Sequence, residues 1–386
     1  MKHRKHTKLT RPDLGEFGRN EWSIIGTVCS DIKTISFEII DALKYDYHLA
    51  YVDADHKSAD EFKLTRDNAI DFGATLEYTD KITFHRFDEQ RTLTKFQFRQ
   101  YFNSQDGVIV NGNHFAAKKQ IVVIDERKEA SLKKKLDRLT NVELFVLTEG
   151  QTEIYPFLKE YIPNWQEIPT VQVTDIESIK NYIKKDLEDN KPELYALVLA
   201  GGKSQRMGRD KGLINYHGKP QREYLYDLLE YFCDNVYFSC RPEQVESLKG
   251  FKTIPDTFHD LGPFGGILSA FRQNPNAAWL VVACDLPLLD EEAIQELIDN
   301  QNHSKNATAF YNEITDFPEP LITIWQPRSY PVLLQYLAQG YSCPRKVLIN
   351  SEIELVQPSR PKVLKNVNHP QEADDVMEFL DGQRKG

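Results

Sequence analysis

The sequence of 386 residues lacks several features that identify large classes of protein. No apolar run approaches the roughly 18 residues that a membrane-spanning helix requires. The five cysteines lie far apart and include no Cys-x-x-Cys pair. Because disulfide frameworks and structural zinc sites use paired cysteines, we expect neither, and we predict free thiols in a reducing compartment.

A positive charge balance is also absent, since the formal net charge is −10 at pH 7. Nucleic-acid-binding proteins usually carry a basic surface, so the composition argues against a nucleic-acid partner. The basic segment 1–8 is not followed by an apolar stretch, and it therefore does not resemble a secretory signal. We expect a soluble, cytoplasmic protein without a membrane partner.

The length and the order of apolar segments predict two domains. A polar linker at residues 189–192 (DNKP) places the boundary between residues 1–190 and 191–386. In each half, apolar runs typical of buried strands alternate with helical patterns, which favours an α/β fold with two doubly wound domains. The predicted strands are residues 22–25, 49–52, 107–110, 120–124, 143–147, 195–199, 235–239 and 278–283. The predicted helices are residues 32–43, 128–139, 176–188, 221–232, 264–273 and 290–301.

The most informative segment is residues 199–211 (LAGGKSQRMGRDK), which begins where the strand 195–199 ends. Paired glycines in a turn that leaves a strand let the backbone approach an anion, because no Cβ blocks the approach. Arg206 and Lys211 add the positive charge that a triphosphate needs. The predicted nucleotide-binding residues of this segment are Leu199, Ala200, Gly201, Gly202 and Lys211.

A carboxylate follows the most apolar strand, where Asp285 lies in the sequence Cys-Asp-Leu-Pro. Ligands of doubly wound sheets bind beyond the carboxyl ends of the strands, so Asp285 and the glycine turn should converge. Mg²⁺ prefers one or two carboxylates together with phosphate oxygens, which makes Asp285 a candidate Mg²⁺ ligand. The alternative is a helix-capping aspartate, but Asp290 is better placed for that role.

Several segments of residues 192–386 together resemble one family. They are residues 199–211, the Asp-x-Pro of Asp285, residues 262–267 (GPFGGI) and residues 366–370 (NVNHP), with Phe264 where leucine is usual. In this half the sequence resembles the MobA-like molybdenum cofactor guanylyltransferases. The resemblance implies a Rossmann-like, glycosyltransferase-A-like nucleotidyltransferase domain in which Asp285 is the Mg²⁺ ligand.

The resemblance also implies roles for individual residues. It places Lys211 at the nucleotide phosphates and Arg206 at the leaving pyrophosphate. Ser239 and Asp256 match nucleotide-contacting positions, although asparagine is frequent where Ser239 stands, and Asp256 could instead cap a turn. Asn368 either reaches the metal site or forms an Asx turn before a helix.

The implied reaction is nucleotidyl transfer from GTP to the phosphate of molybdopterin or molybdenum cofactor, with loss of pyrophosphate. A phosphate monoester is already anionic near neutral pH, so no strong general base is needed, and no convincing Ser-His-Asp or Cys-His set occurs. Catalysis would rest on charge neutralisation by Mg²⁺, Lys211 and Arg206. Client molybdoenzymes are candidate partners. The alternatives are a transferase that uses CTP or another phosphorylated acceptor, and a non-catalytic adaptor that carries the cofactor.

The N-terminal half has a segment in the position of a P-loop, residues 26–34 (GTVCSDIKT), between a predicted strand and a helix. It departs from the required Gly-x-x-x-x-Gly-Lys-Ser/Thr, because Asp31 replaces the second glycine and Ile32 the lysine. The layout, with residues 52–57 (VDADHK) and 106–112 (DGVIVNG), resembles the MobB-like partner of molybdopterin guanine dinucleotide synthesis. We expect a degenerate P-loop domain that serves as a scaffold.

Overall fold

The computed structural model describes residues 15–55, 68–202 and 210–385. Arg206 and the basic segment 1–8 lie outside these ranges. The chain divides into two compact units, Met1–Asn190 and Lys191–Gly386. Within the described ranges, no helix combines the length and the apolar character that a membrane crossing would require.

The N-terminal unit is built on a parallel sheet. Its strands are β1 (Glu21–Ile25), β2 (Leu49–Val52), β3 (Leu76–Asp80), β4 (His85–Glu89), β5 (Gly107–Asn111), β6 (Lys119–Ile124), β7 (Val142–Leu147) and β8 (Thr170–Gln172). Six strands pair in the order β2-β5-β1-β6-β7-β8, and all of these pairs are parallel. Strands β3 and β4 form a separate antiparallel hairpin.

Helices cover both faces of this sheet. They are α1 (Cys29–Leu43), α2 (Lys95–Phe102), α3 (Glu129–Lys133), α4 (Pro156–Tyr161) and α5 (Ile176–Asp189). On one face, α1 and α5 bury apolar residues spaced along one stripe of each helix, such as Ile32 and Ile183. On the other face, α3 and α4 bury Leu132 and Leu158. The doubly wound α/β prediction is confirmed for this unit.

The C-terminal unit has a mixed sheet of seven strands. They are β9 (Leu194–Leu199), β10 (Asn235–Cys240), β11 (Thr253–Pro255), β12 (Ala278–Ala283), β13 (Ala307–Asn312), β14 (Phe317–Trp325) and β15 (Ile353–Val356). The order is β11-β10-β9-β12-β14-β13-β15. Strands β9 to β12 are parallel to one another, whereas β14 runs antiparallel to both of its neighbours.

Helices again pack on both faces of the sheet. They are α6 (Gln221–Glu230), α7 (Pro263–Gln273), α8 (Glu291–Asp299), α9 (Ser329–Ala338), α10 (Pro344–Ile349) and α11 (Pro370–Lys385). One core contains Leu225 of α6 and Leu297 of α8. The opposite core contains Phe271 of α7, Leu333 of α9 and Val347 of α10. The resulting Rossmann-like α/β unit agrees with the predicted fold class.

Candidate nucleotide site

The carboxyl ends of three neighbouring parallel strands lie at one level. Leu199, the last residue of β9, pairs with Ser239 of β10 on one side and with Ala283 of β12 on the other. The segments that follow these strands therefore leave the sheet at the same edge, as in other doubly wound sheets. A cavity of about 250 Å³ opens at this edge. The predicted site residues that line it are Leu199, Ala200, Gly201, Gly202, Lys211, Ser239, Asp256 and Asp285.

Among the described residues, nothing requires glycine at the two positions of the turn. A Cβ on Gly202 would meet no described atom within 4 Å, and one on Gly201 would lie at an ordinary 3.5 Å from Asp256 Oδ2. Neither glycine has a left-handed φ. By contrast, Gly26 has a φ of +105°, and its Cβ would lie 2.2 Å from the Val123 carbonyl oxygen. The described residues thus leave the backbone at Gly201 and Gly202 open for the close approach of a ligand.

Lys211 joins the glycine-rich segment to two other segments of the site. Its Nζ donates a hydrogen bond to Asn368 Oδ1 at 2.7 Å and lies 3.4 Å from Asp285 Oδ2. The Val367 amide donates to the Asp285 carbonyl at 2.9 Å, which holds the Asn-Val-Asn segment against the Asp-x-Pro turn. Asp210 instead accepts from the Gly212 amide at 2.9 Å, so it caps the turn at Lys211–Leu213.

Asp285 presents a buried carboxylate oxygen to this cavity. Within the described ranges, Asp285 Oδ1 is buried and has no hydrogen-bond partner. Helix α8 is capped by Asp290, whose Oδ1 accepts from the Ala293 amide at 3.1 Å, so Asp285 does not serve as its cap. Leaving a buried acceptor unpaired costs about 1–3 kcal/mol, and such groups call for a functional explanation.

The orphaned oxygen fits a divalent cation that shares its coordination with a substrate. Nowhere in residues 15–55, 68–202 or 210–385 do three or more His, Cys, Asp or Glu side chains form a metal-binding group. A Mg²⁺ ion bound through one carboxylate, phosphate oxygens and waters needs no such group. The donor set at Asp285 is therefore compatible with a metal of this kind.

Asp256 lies on the opposite side of the glycine turn. Its Oδ1 accepts a hydrogen bond from Ser239 Oγ at 2.9 Å, and its Oδ2 lies near Gly201. Burial raises the pKa of Asp256, and the hydrogen bond from Ser239 and the charge of His259 partly offset this effect. The hydrogen bond from Ser239 thus holds the Asp256 carboxylate at the wall of the cavity. No contact among the described residues supports the alternative that Asp256 caps a turn.

The corresponding edge of the N-terminal unit has a different electrostatic character. A cavity of about 510 Å³ opens beside the start of α1, and it is lined by five carboxylates against one cation, Arg127. Arg127 Nη2 donates to Asp31 Oδ2 at 2.5 Å and to Asp125 Oδ2 at 2.6 Å. Thr27 Oγ1 also donates to Asp125, at 2.5 Å. An internal ion pair, which the sequence analysis did not predict, therefore occupies the end of the segment that resembles a degenerate P-loop.

The sequence analysis missed Arg222, the second residue of α6. Its stem packs behind Gly212, where a Cβ would lie 3.3 Å from Arg222 Cβ and 3.4 Å from Arg222 Cδ. Its Nε is buried and has no hydrogen-bond partner in the described part of the chain. A cation in the first helical turn opposes the helix dipole, and this mismatch is the signal that could have identified it.

Solved structures with a similar fold include two molybdopterin-guanine biosynthesis proteins. The molybdopterin-guanine dinucleotide biosynthesis protein A of Archaeoglobus fulgidus is 21% identical, with a TM-score of 0.43, over 49% of this chain and 99% of that chain. A molybdopterin-guanine biosynthesis protein B is 16% identical, with a TM-score of 0.30, over 44% of this chain and 99% of that chain.

Sequence comparisons identify the family. Residues 196–354 match the family described as MobA-like NTP transferase domain. The chain is 37% identical over 181 residues to the molybdenum cofactor biosynthesis bifunctional protein of Synechocystis sp.. This match covers 46% of this chain and only about half, 52%, of the length of that relative. It is 30% identical over 193 residues, 49% of this chain, to the molybdenum cofactor guanylyltransferase of Pseudomonas putida, which is covered over 100% of its length. The chain therefore belongs to the molybdenum cofactor guanylyltransferase family of nucleotidyltransferases.

Proposed function

We propose that the C-terminal unit transfers GMP from GTP to the phosphate of molybdopterin or molybdenum cofactor and releases pyrophosphate, forming the guanine dinucleotide cofactor. The observation that carries this proposal is the buried Oδ1 of Asp285, which has no partner among the described residues and lies beside Lys211 and the open glycine turn. The family supplies the reaction class, and the guanylyltransferase of Pseudomonas putida, which acts in the formation of molybdenum cofactor, supplies the donor and the acceptor.

In this reaction an oxygen of the acceptor phosphate forms a bond to the α-phosphorus of GTP. The bond between that phosphorus and the bridging oxygen to the β-phosphate breaks, and pyrophosphate leaves with the electron pair. The residues of the site act by binding and charge neutralisation. We assign the backbone at Gly201 and Gly202, together with Lys211, to the triphosphate. The motif assigns Arg206, which lies outside the described residues, to the leaving pyrophosphate.

We assign Asp285 as the residue that holds Mg²⁺, through its unpartnered oxygen. A bound Mg²⁺ neutralises phosphate charge and orients the phosphate oxygens. Lys211 keeps the other carboxylate oxygen in place, because its Nζ lies between Asp285 Oδ2 and Asn368 Oδ1. Asn368 is thus a positioning residue for Lys211 in this proposal. The coarser property, use of a divalent metal, is typical of this family of guanylyltransferases.

The Asp256–Ser239 pair supports a preference for guanine. Ser239 fixes one carboxylate oxygen and leaves Oδ2 directed towards the turn at Gly201. A carboxylate accepts hydrogen bonds and donates none, so it suits a base edge that presents adjacent N–H donors. Guanine presents its ring N–H and amino group there, whereas the corresponding ring nitrogen of cytosine is an acceptor. We therefore place GTP ahead of CTP as the donor.

For the N-terminal unit we propose a scaffold role without nucleotide hydrolysis. The ion pair of Arg127 with Asp31 and Asp125, and the carboxylates around it, support this proposal, because they leave an unfavourable field for a phosphate. Client molybdoenzymes stay a predicted partner class that follows from the resemblance.

The test is calorimetric titration of GTP, CTP, ATP and UTP, each with Mg²⁺, into the wild type, Asp285→Ala and the exposed control Glu291→Ala. We expect GTP-selective binding that is lost in Asp285→Ala and kept in the control. A preference for CTP would instead indicate a cytidylyltransferase. If no nucleotide binds to the wild type, the adaptor alternative becomes the better one.

A further inference from the structure

Arg222 has a buried guanidinium nitrogen for which the described structure supplies no acceptor. In the described ranges, Arg222 forms no ion pair, and its buried Nε makes no hydrogen bond. Arg127 pairs with Asp125 at 2.6 Å, and Arg360 binds Asp290 through two nitrogens at 2.6 and 2.7 Å. Arg19 and Arg345 also have a buried Nε without a partner, but each forms another contact, such as the ion pair of Arg345 Nη2 with Glu319 Oε2 at 3.5 Å. Among the described residues, Arg222 lacks such a contact.

The position of Arg222 disfavours a cation for two physical reasons. A buried N–H donor that lacks an acceptor destabilises the folded state, and the penalty is larger for charged groups. The first turn of α6 also carries the positive end of the helix dipole, which repels a guanidinium. A residue that destabilises its own fold in this way is typical of a group kept for a ligand.

The surroundings of Arg222 connect it to the nucleotide site. Its stem packs behind Gly212, which lines the cavity and directly follows Lys211. Lys211, Gly212 and Asp285 all line the same cavity, so Arg222 packs against the wall of the site that carries Asp285.

We propose that Arg222 is an additional phosphate-binding residue of this site, whose guanidinium binds an oxyanion of a substrate phosphate. This inference rests on the proposed function. An arginine presents several N–H donors in a planar fork that matches phosphate oxygens, so a phosphate would supply the missing acceptor and neutralise the charge. The phosphate belongs either to the β- and γ-positions of GTP or to the acceptor, and the experiment separates these sources.

The experiment uses Arg222→Met, which keeps an apolar stem against Gly212 and removes the charge. The matched control is Lys219→Met, because Lys219 forms an ion pair with Asp227 on the surface of the same unit, outside the lining of the cavity. Binding of GTP and of GMP with Mg²⁺ is measured by calorimetry, and KM for the acceptor is measured in the transfer assay. Arg222→Lys is included because it restores the charge without the planar fork.

If Arg222 binds the GTP tail, Arg222→Met should weaken GTP binding by about 10- to 100-fold and leave GMP binding unchanged. If Arg222 binds the acceptor, the acceptor KM should rise by a similar factor with GTP binding unchanged. In either case Arg222→Lys should recover part of the loss, and Lys219→Met should behave as the wild type.

Two results would overturn the inference. One is unchanged GTP affinity together with unchanged acceptor KM in Arg222→Met, while the wild type binds GTP normally. The other is a lowered unfolding temperature with equal losses for GTP and GMP, which would identify a structural role. Because Arg222 has no described partner, we expect the Met variant to unfold at the same or a higher temperature. Failure of the wild type to bind GTP would reject the proposed function itself.

Discussion

The two units place polar side chains at the same kind of sheet edge but satisfy them differently. In the N-terminal unit, Asp31, Asp125, Arg127 and Thr27 bond to one another at the start of α1. In the C-terminal unit, a carboxylate oxygen of Asp285 and the Nε of Arg222 are buried without partners among the described residues. Similar architecture therefore supports two different electrostatic states.

The difference supports our proposal that the ligand site lies at the edge of the C-terminal unit. Polar groups that satisfy one another contribute to stability and leave nothing for a ligand, whereas unsatisfied groups destabilise the fold until a ligand arrives. Function thus follows from the site and not from the fold class, since both units are doubly wound. The predictions below test whether paired groups act on stability and unpaired groups on activity.

The largest expected effect is that of Asp285→Asn on transfer. Loss of the carboxylate charge should lower kcat by about 1,000-fold, comparable to the removal of a major charge-stabilising group from an active site. The unfolding temperature should change little, because Oδ1 has no partner in the described structure and the contact of Oδ2 with Lys211 Nζ is long, at 3.4 Å. Pyrophosphate release and calorimetric unfolding measure the two quantities. If this variant kept the kcat of the wild type, the proposal that the C-terminal edge is the catalytic one would be wrong.

The glycines of the two turns offer the next comparison. Gly26→Ala should destabilise the protein by about 3 kcal/mol, because its left-handed φ and the Val123 carbonyl leave no room for a Cβ. Gly202→Ala should unfold like the wild type, since no described atom lies near its Cβ position. It should nevertheless bind GTP less tightly, because the new methyl group occupies the space left for the ligand.

Unfolding by calorimetry and GTP titration of both glycine variants test this prediction. A large loss of stability in Gly202→Ala, or unchanged GTP affinity, would mean that the open turn is not a ligand surface.

A third comparison uses Asp125→Asn as the counterpart of Asp285→Asn. Asp125 is 2% exposed and accepts hydrogen bonds from Arg127 and Thr27, so the substitution should destabilise the protein by about 1–3 kcal/mol. The kcat of transfer should equal that of the wild type, because the edge at Asp125 carries no catalytic group in our proposal. A transfer defect without loss of stability would contradict the scaffold assignment.

The parts of the fold that the sequence predicts are those buried on both sides. Strand β12 was predicted at residues 278–283 and is found there, because a strand covered by helices on both faces is continuously apolar. The exposed hairpin β3–β4 was missed, since its side chains bury too little surface to leave a pattern. The helix predicted at residues 128–139 is only α3, Glu129–Lys133, between two 3-10 turns, because Leu132 is its one buried residue.

The sequence also predicted the part of the site that follows directly from the order of the buried strands. Parallel strands end at a common edge, so motifs at strand ends, such as Gly201 and Asp285, converge without knowledge of the tertiary structure. Side-chain hydrogen bonds between residues far apart in the sequence cannot be predicted from local sequence patterns. Arg127 forms a hydrogen bond with Asp31, 96 residues away. Arg222 is recognisable only from the structure, in which no described residue accepts from its Nε.

The smallest expected effect is a difference in pH dependence between the two edges, about 1 kcal/mol or less. Burial alone would raise the pKa of Asp125, but hydrogen bonds from Arg127 and Thr27 hold it below its usual value. A depressed pKa adds stability that is present above the unfolded-state value and is lost as the pH falls through the folded value. The loss of folding stability in Asp125→Asn, relative to the wild type, should therefore be constant from pH 7 to 5 and become smaller in stronger acid.

Asp256 should behave in the opposite way, because burial raises its pKa. A carboxyl group of this kind stabilises the fold most in acid and loses that contribution as the pH rises through its folded pKa. Asp256→Asn should therefore match or exceed the wild type in stability at pH 7, and the difference should vanish as the pH falls through the raised pKa. Calorimetry at pH 7, 5 and 3 measures both variants, because the change for Asp125→Asn falls below the ordinary aspartate pKa of about 3.9. If the stability of the two variants depends on pH in the same way, the two edges do not differ in how Asp125 and Asp256 are hydrogen-bonded. The contrast between the two edges would then depend on Asp285 and Arg222 alone.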